Sequence, residues 1–233
     1  MTIRGVAFFL LIFGLSAGVA RAQNADDQFI ALCKDEDVGR RIYGCTALIE
    51  SGKEPPDTLA MAHLNRGNAL SENGQNDPAI ADYDQAIKLN PVNPEAFYRR
   101  GAALGKKGEF DRAIADEDSA IKLDPKNAKA FSSRGYAYSR KKDFDHAIQD
   151  YTEAIRLDAN DGQTFGLRAN ALREKGQNDQ AIQDCDQAIK LNSNDAYAYY
   201  IRGLAKQKKG DKSGSKADIA KAKQLDPKVD QQQ

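Results

Sequence analysis

The 233-residue chain contains no tryptophan, two methionines, two histidines and three cysteines. That scarcity excludes much chemistry. His63 and His146 lie far from the cysteines and from each other, so no four-ligand zinc set is present. No H-E-x-x-H, no G-x-S-x-G and no glycine-rich phosphate loop occurs. The carboxylates recur at helix-surface spacing, which gives a paired-carboxylate hydrolase no specific support. Neither an enzymatic activity nor a cofactor is expected. Excess charge is missing too. Lys plus Arg and Asp plus Glu both total 34, so no bulk field draws the chain onto nucleic acid.

Long apolar runs are missing except at the start. Arg4 precedes GVAFFLLIFGLSAGVA, 16 residues containing three glycines, and Ala20-Arg21-Ala22 follows. A basic start, an apolar run and an A-x-A site make a secretory signal peptide. The run falls short of the roughly 20 residues of a spanning helix. Cleavage after Ala22 is expected, giving a mature chain that starts at Gln23, has no membrane span and is periplasmic or secreted. No cysteine follows the run closely, so lipid attachment is not expected.

What the chain does have is a repeat. Phe97 to Pro125 reads FYRRGAALGKKGEFDRAIADEDSAIKLDP. Phe97, Gly101 and Leu104 share one helical stripe, and Ala113, Glu117 and Ala120 share another. Gly108 falls between them, where a helix stops at positive φ, and Pro125 cannot continue the second. The result is a hairpin of two short helices, neither stable alone. Gly101 recurs every 34 residues as Gly67, Gly135, Ala169 and Gly203. Ala113 recurs as Ala79, Ala147, Ala181 and Ser215, and Ala120 as Ala86, Ala154, Ala188 and Ala222. The opening aromatic slot holds His63, Phe97, Phe131, Phe165 and Tyr199. Lys142 stands where the other repeats hold the turn glycine.

A 34-residue period with this aromatic–Gly–Ala–Ala–Pro pattern resembles the tetratricopeptide repeat family. The resemblance implies an all-α, right-handed α-solenoid of five hairpins at 60–93, 94–127, 128–161, 162–195 and 196–229. Residues 1–22 are the leader, 23–59 a helical cap and linker, and 230–233 a disordered tail. Small residues in facing slots let helices approach closely, and stacked repeats bury one continuous core.

Two features depart from the family pattern. Before the small slot, where the family usually has Leu, stand Arg66, Arg100, Arg134, Arg168 and Arg202. Sixteen residues later, where it usually has an apolar residue, stand Asp82, Asp116, Asp150, Asp184 and Asp218. An arginine–aspartate ladder is expected, either within each repeat or between neighbours. Glu117 fills an apolar slot and is expected to turn toward Arg99 or Arg100.

Cys33 and Cys45 lie on the two arms of a worn hairpin that precedes the repeats, followed by a Gly/Pro connection from Ser51 to Asp57. An oxidising compartment favours their pairing into a disulfide, closing a loop that contributes about 3 kcal/mol. Cys185 occupies a core slot and is expected to be a buried free thiol.

The resemblance also implies a groove lined by the first helices. Its slots include Asn68, Tyr98, Lys106, Lys129, Tyr136, Ser139, Arg140, Gln163, Asn170, Arg173, Tyr197 and Tyr200. Of the clamp that binds a C-terminal carboxylate in chaperone-binding members, Asn68 and Lys129 match, but Leu64, Arg99 and Ser133 do not. The expected function is a protein-interaction scaffold. Its partner would be a protein or peptide segment with apolar anchors and some acidic residues. The alternative is an assembly factor of a cell-envelope complex. The final repeat is basic, with nine Lys/Arg against four Asp/Glu from Ala196 onward, which most simply solvates an open end.

Overall fold

The computed structural model describes residues 26–231, so the leader, its cleavage site and the expected mature N-terminus lie outside the described residues. Among the described residues there are twelve α-helices and no strand. Helix α1 covers residues 26–32 and α2 Val38–Ser51. The hairpins then pair α3 (Pro56–Glu72) with α4 (Asn76–Leu89) and α5 (Pro94–Lys106) with α6 (Phe110–Leu123). They continue with α7 (Ala128–Arg140) and α8 (Phe144–Leu157), α9 (Gly162–Glu174) and α10 (Asn178–Leu191), and α11 (Ala196–Lys208) and α12 (Lys212–Leu225). The fold is all-α, with consecutive helices packed in pairs. Contacts divide the described residues within α5 into two compact units, one up to Arg99 and one from Arg100 onward.

In the first unit, α1 and α2 are tied by the Cys33–Cys45 disulfide. The helices approach closely because Gly44 has no side chain: a β-carbon there would stand 2.6 Å from the Cys33 backbone nitrogen. Asp37 caps α2, accepting from the Arg40 N–H at 2.8 Å, and Gly52 ends it at φ 63°. Cys33, Cys45 and Leu48 form a small core with Ala62 of α3. The connection is shorter than expected. Helix α3 already starts at Pro56, because a proline at a helix start leaves no intrahelical hydrogen bond unmade.

The second unit repeats one geometry. The turn after α5 is a Schellman motif: the Glu109 N–H reaches the Leu104 carbonyl and the Gly108 N–H that of Gly105, both at 3.0 Å. Gly108 has φ 81°; its counterpart Lys142 adopts φ 64° despite its side chain. Cys185 is a buried free thiol. Val229 is fully buried against the last hairpin, and the 3₁₀ turn Val229–Gln231 follows. That anchor carries order into residues 230 and 231 of the stretch expected as a disordered tail, with Asp230 paired to Lys223 at 3.0 Å.

The arginine–aspartate ladder is complete. In all five repeats the arginine Nε and Nη2 donate to the two oxygens of its aspartate at 2.6–2.9 Å. The aspartates are only 4–8% exposed. The ladder also reaches between repeats. Nη1 of Arg134 donates to Asp118 at 2.5 Å, that of Arg168 to Thr152 at 3.1 Å and that of Arg202 to Asp186 at 2.6 Å, each on the preceding second helix. Three guanidinium groups also lie over the aromatic slot one turn before them, Arg134 over Phe131, Arg168 over Phe165 and Arg202 over Tyr199. In the first repeat that slot is His63, and its Nδ1 meets Asp82 Oδ1 at 2.8 Å. Burial alone would raise the Asp82 carboxyl, but hydrogen bonds from Arg66 and His63 more than cancel it and hold the group below its ordinary range. An outer, exposed ladder runs parallel through Lys141–Asp111, Lys175–Asp145 and Lys209–Asp179.

Glu117 does not turn to an arginine. It is fully buried against Gly101, and neither carboxyl oxygen has a hydrogen-bond partner. Arg100 is committed to the neighbouring Asp116. Burial pushes the Glu117 carboxyl up to about 9; the Ser133 hydroxyl eases this slightly without reaching hydrogen-bond geometry.

Candidate functional site

Within the second unit, α9 lies against both α7 and α11. Between these three helices is a cleft of about 240 Å³. It is lined by Tyr136, Ser139 and Arg140 of α7, Gln163, Leu167 and Asn170 of α9, and Tyr197 of α11 with its N-cap Asp195. All of the lining comes from first helices and one of their caps, because the second helices turn their small residues inward against them.

Each side chain is held by its own element. Arg140, at the end of α7, donates from Nη1 to the Tyr136 hydroxyl at 2.9 Å, one turn back. Its guanidinium carbon also lies 5.6 Å from the Phe110 ring centroid. Among the described residues no carboxylate pairs with Arg140. Arg173 differs: it donates to Asn170 Oδ1 at 2.8 Å and pairs with Glu174 at 2.5 Å. Asp195 caps α11, accepting from the Ala198 N–H at 2.9 Å. The Tyr197 ring lies across Gly166, and burial pushes its phenol up to about 12.

The cleft brings together Tyr136, Ser139, Arg140, Gln163, Asn170 and Tyr197 of the expected groove, with Arg173 bonded to its edge through Asn170. Lys129 is exposed on the first turn of α7 and is not part of the lining, and Lys106 is exposed at the end of α5. Asn68 and Tyr98 belong to the first unit. Asn68 Oδ1 accepts from the Tyr83 hydroxyl at 3.0 Å, and Tyr98 lies under the Arg99 guanidinium at 5.3 Å. Tyr200, expected in the groove, is instead 9% exposed and packed into the core with Leu172 and Cys185. It lies one turn beyond Tyr197 on the same side of α11: Tyr197 reaches the cleft, while Tyr200 sits deeper, in the core cluster against which Tyr197 also packs. Leu167 and Asp195 were not anticipated. The period marks Asp195, since Asp161 and Asn127 cap the preceding first helices in the same slot. Nothing in the sequence singles out Leu167.

Sequence profiles described as TPR repeat match residues 67–108 and 169–210. Others described as tetratricopeptide repeat match 128–161, 94–127 and 196–229. The chain belongs to the tetratricopeptide repeat family. Several solved structures share its fold. YrrB, described as a TPR protein with an unusual peptide-binding site, is 23% identical with a TM-score of 0.62, covering 78% of this chain and 92% of its own. MamA from Desulfovibrio magneticus RS-1 is 20% identical with a TM-score of 0.65, covering 72% and 95%. TTC0263 of Thermus thermophilus is 21% identical with a TM-score of 0.61, covering 72% and 92%. At these identities the likeness is one of fold. Comparison with curated proteins gives no match. Among the described residues no group of His, Cys, Asp and Glu is placed to hold a metal, and no helix is long and apolar enough to cross a membrane.

Proposed function

We propose that this tetratricopeptide repeat protein is an exported interaction scaffold that holds a segment of a partner protein against the α7–α9–α11 face. The observation that carries the reading is the cleft itself, lined by first-helix residues and holding a guanidinium with no internal carboxylate. Tyr136 and Tyr197 offer rigid amphipathic area of the kind that dominates such interfaces. Arg140 and Lys129 steer an acidic segment and raise its on-rate, more at low salt than at high. YrrB, of the same fold, is described as having a peptide-binding site, which supports the class of ligand. Export is supported by the leader and by the Cys33–Cys45 disulfide, since a reducing cytosol keeps such thiols apart.

The test is a crosslinking capture from the native cell envelope, followed by binding of the captured partner to variants. Tyr136→Ala and Lys129→Glu each weaken binding while the helical circular dichroism and the cooperative melt persist. Two variants that bind as the parent does rule the face out. N-terminal sequencing tests export: a mature chain beginning at Gln23 supports it, and one beginning at Met1 contradicts cleavage.

A further inference from the structure

Resting on that reading, we propose that the cleft is a receptor for one carboxylate side chain, Asp or Glu, of the bound protein segment. The starting observation is Tyr151 of α8. Its counterpart in the first repeat, Tyr83, donates its hydroxyl to Asn68. In the third repeat the slot of Asn68 holds Tyr136, and the Tyr151 hydroxyl, fully buried, has no hydrogen-bond partner. The groups that act on this phenol are headed by Tyr197 and Tyr136, with Ser139 close by but outside hydrogen-bond geometry. All three line the cleft. An unmade donor therefore lies directly behind the cleft wall, screened from solvent.

Arg140 adds a charge at the same place. Its Nη1 donates to the Tyr136 hydroxyl, so that oxygen is already accepting and its own proton is free to be given onward. Two donors in the lining, on Tyr136 and Arg140, and a third buried behind them on Tyr151 thus lie together without an anionic acceptor. Asp195, the carboxylate in the lining, is engaged by the backbone of α11. A neutral carbonyl would satisfy a phenol but leave the guanidinium uncompensated. A carboxylate, accepting through two oxygens, satisfies both. The flanking Leu167 and Tyr197 give apolar area to the adjoining residues of a peptide, which points to a side chain within a protein segment as the source.

The experiment uses the full mature chain to pan a random 12-residue peptide library. Captured peptides are then synthesised in pairs, with each Glu→Gln or Asp→Asn. The amide versions lose affinity about tenfold, the scale of a hydrogen-bonded charge. Tyr151→Phe loses affinity by a similar factor, yet the free protein melts no lower than the parent, because the deleted hydroxyl was unpaired. Tyr83→Phe does the reverse, melting lower without loss of affinity. Captured peptides whose amide versions bind equally well, or a Tyr151→Phe variant that binds as the parent does, overturn the carboxylate receptor and leave the segment-binding reading standing. A library from which nothing is captured overturns both.

Discussion

The ring of Tyr151 rests on Gly135 so closely that a β-carbon on the glycine would stand 2.9 Å from it. The same exchange of bulk recurs across the other hairpins, Gly67 with Tyr83 at 2.7 Å and Gly203 with Ile219 at 2.8 Å. In the fourth repeat Ala169 takes the glycine slot, and its partner shrinks to Cys185. The two slots are therefore one steric unit. Gly135→Ala is expected to destabilise the protein by about 2 kcal/mol through overpacking. Adding Tyr151→Cys, which copies the fourth repeat, recovers most of the loss. Urea unfolding of both variants checks this, and additive losses contradict the coupling.

The buried ladder and the exposed one differ sharply in weight. Asp150→Asn leaves the Arg134 guanidinium without its principal partner and is expected to cost about 3 kcal/mol. Lys141→Ala, on the outer ladder, is expected to change stability by about 0.5 kcal/mol or less. The pH dependence follows from Asp82 and Asp218, whose folded pKa values lie below the ordinary 3.8. In both, burial raises the carboxyl but hydrogen bonds, from Arg66 and His63 to Asp82 and from Arg202 and Lys206 to Asp218, outweigh it. Their stabilisation is complete above the unfolded value and is lost as pH falls through the folded one. Thermal melts are expected to drop steeply below about pH 4.

Glu117 works in the opposite sense. Its folded pKa, about 9, lies above the ordinary 4.5, so the folded state holds a proton that the unfolded state releases. Stability from this group is full below the unfolded value and declines as pH rises toward the folded one. Near neutral pH the penalty is on the order of 3 kcal/mol. Glu117→Tyr, which restores the residue of the first and third repeats, is expected to raise the melting temperature and to flatten its decline between pH 5 and pH 9 (about the two pKa values). A decline as steep as the parent's assigns the pH dependence elsewhere.

The hairpins were legible because their cause is local and steric: a small residue in each slot, every 34 residues, leaves few other ways to pack. The ladder was legible as a constant offset of sixteen residues between opposite charges. Its third prong was not, because Asp118, Thr152 and Asp186 look like ordinary surface residues until the preceding helix is placed beside the arginine. The direction of Glu117, expected toward Arg99 or Arg100, was not legible, since the sequence does not show that Arg100 is already committed to Asp116. Of the expected groove residues, Tyr136, Ser139, Arg140, Gln163, Asn170 and Tyr197 line one cleft, since their positions follow the period. Tyr200 packs into the core instead, because how deep each tyrosine of α11 sits depends on neighbours that the period does not show. The unpaired Tyr151 hydroxyl was invisible for a similar reason: it depends on what stands opposite, in a slot where Asn68 accepts and Tyr136 does not.

The most direct test of the account is where a captured partner segment protects the chain. Hydrogen exchange of the mature protein, read with and without that segment, is expected to slow in α7, α9 and α11 and to stay unchanged on the outward faces of α8 and α10. Protection concentrated on α8 and α10, or at the basic end of α12, with α7 and α9 exchanging as in the free protein, contradicts the proposal that the first-helix cleft is the binding site.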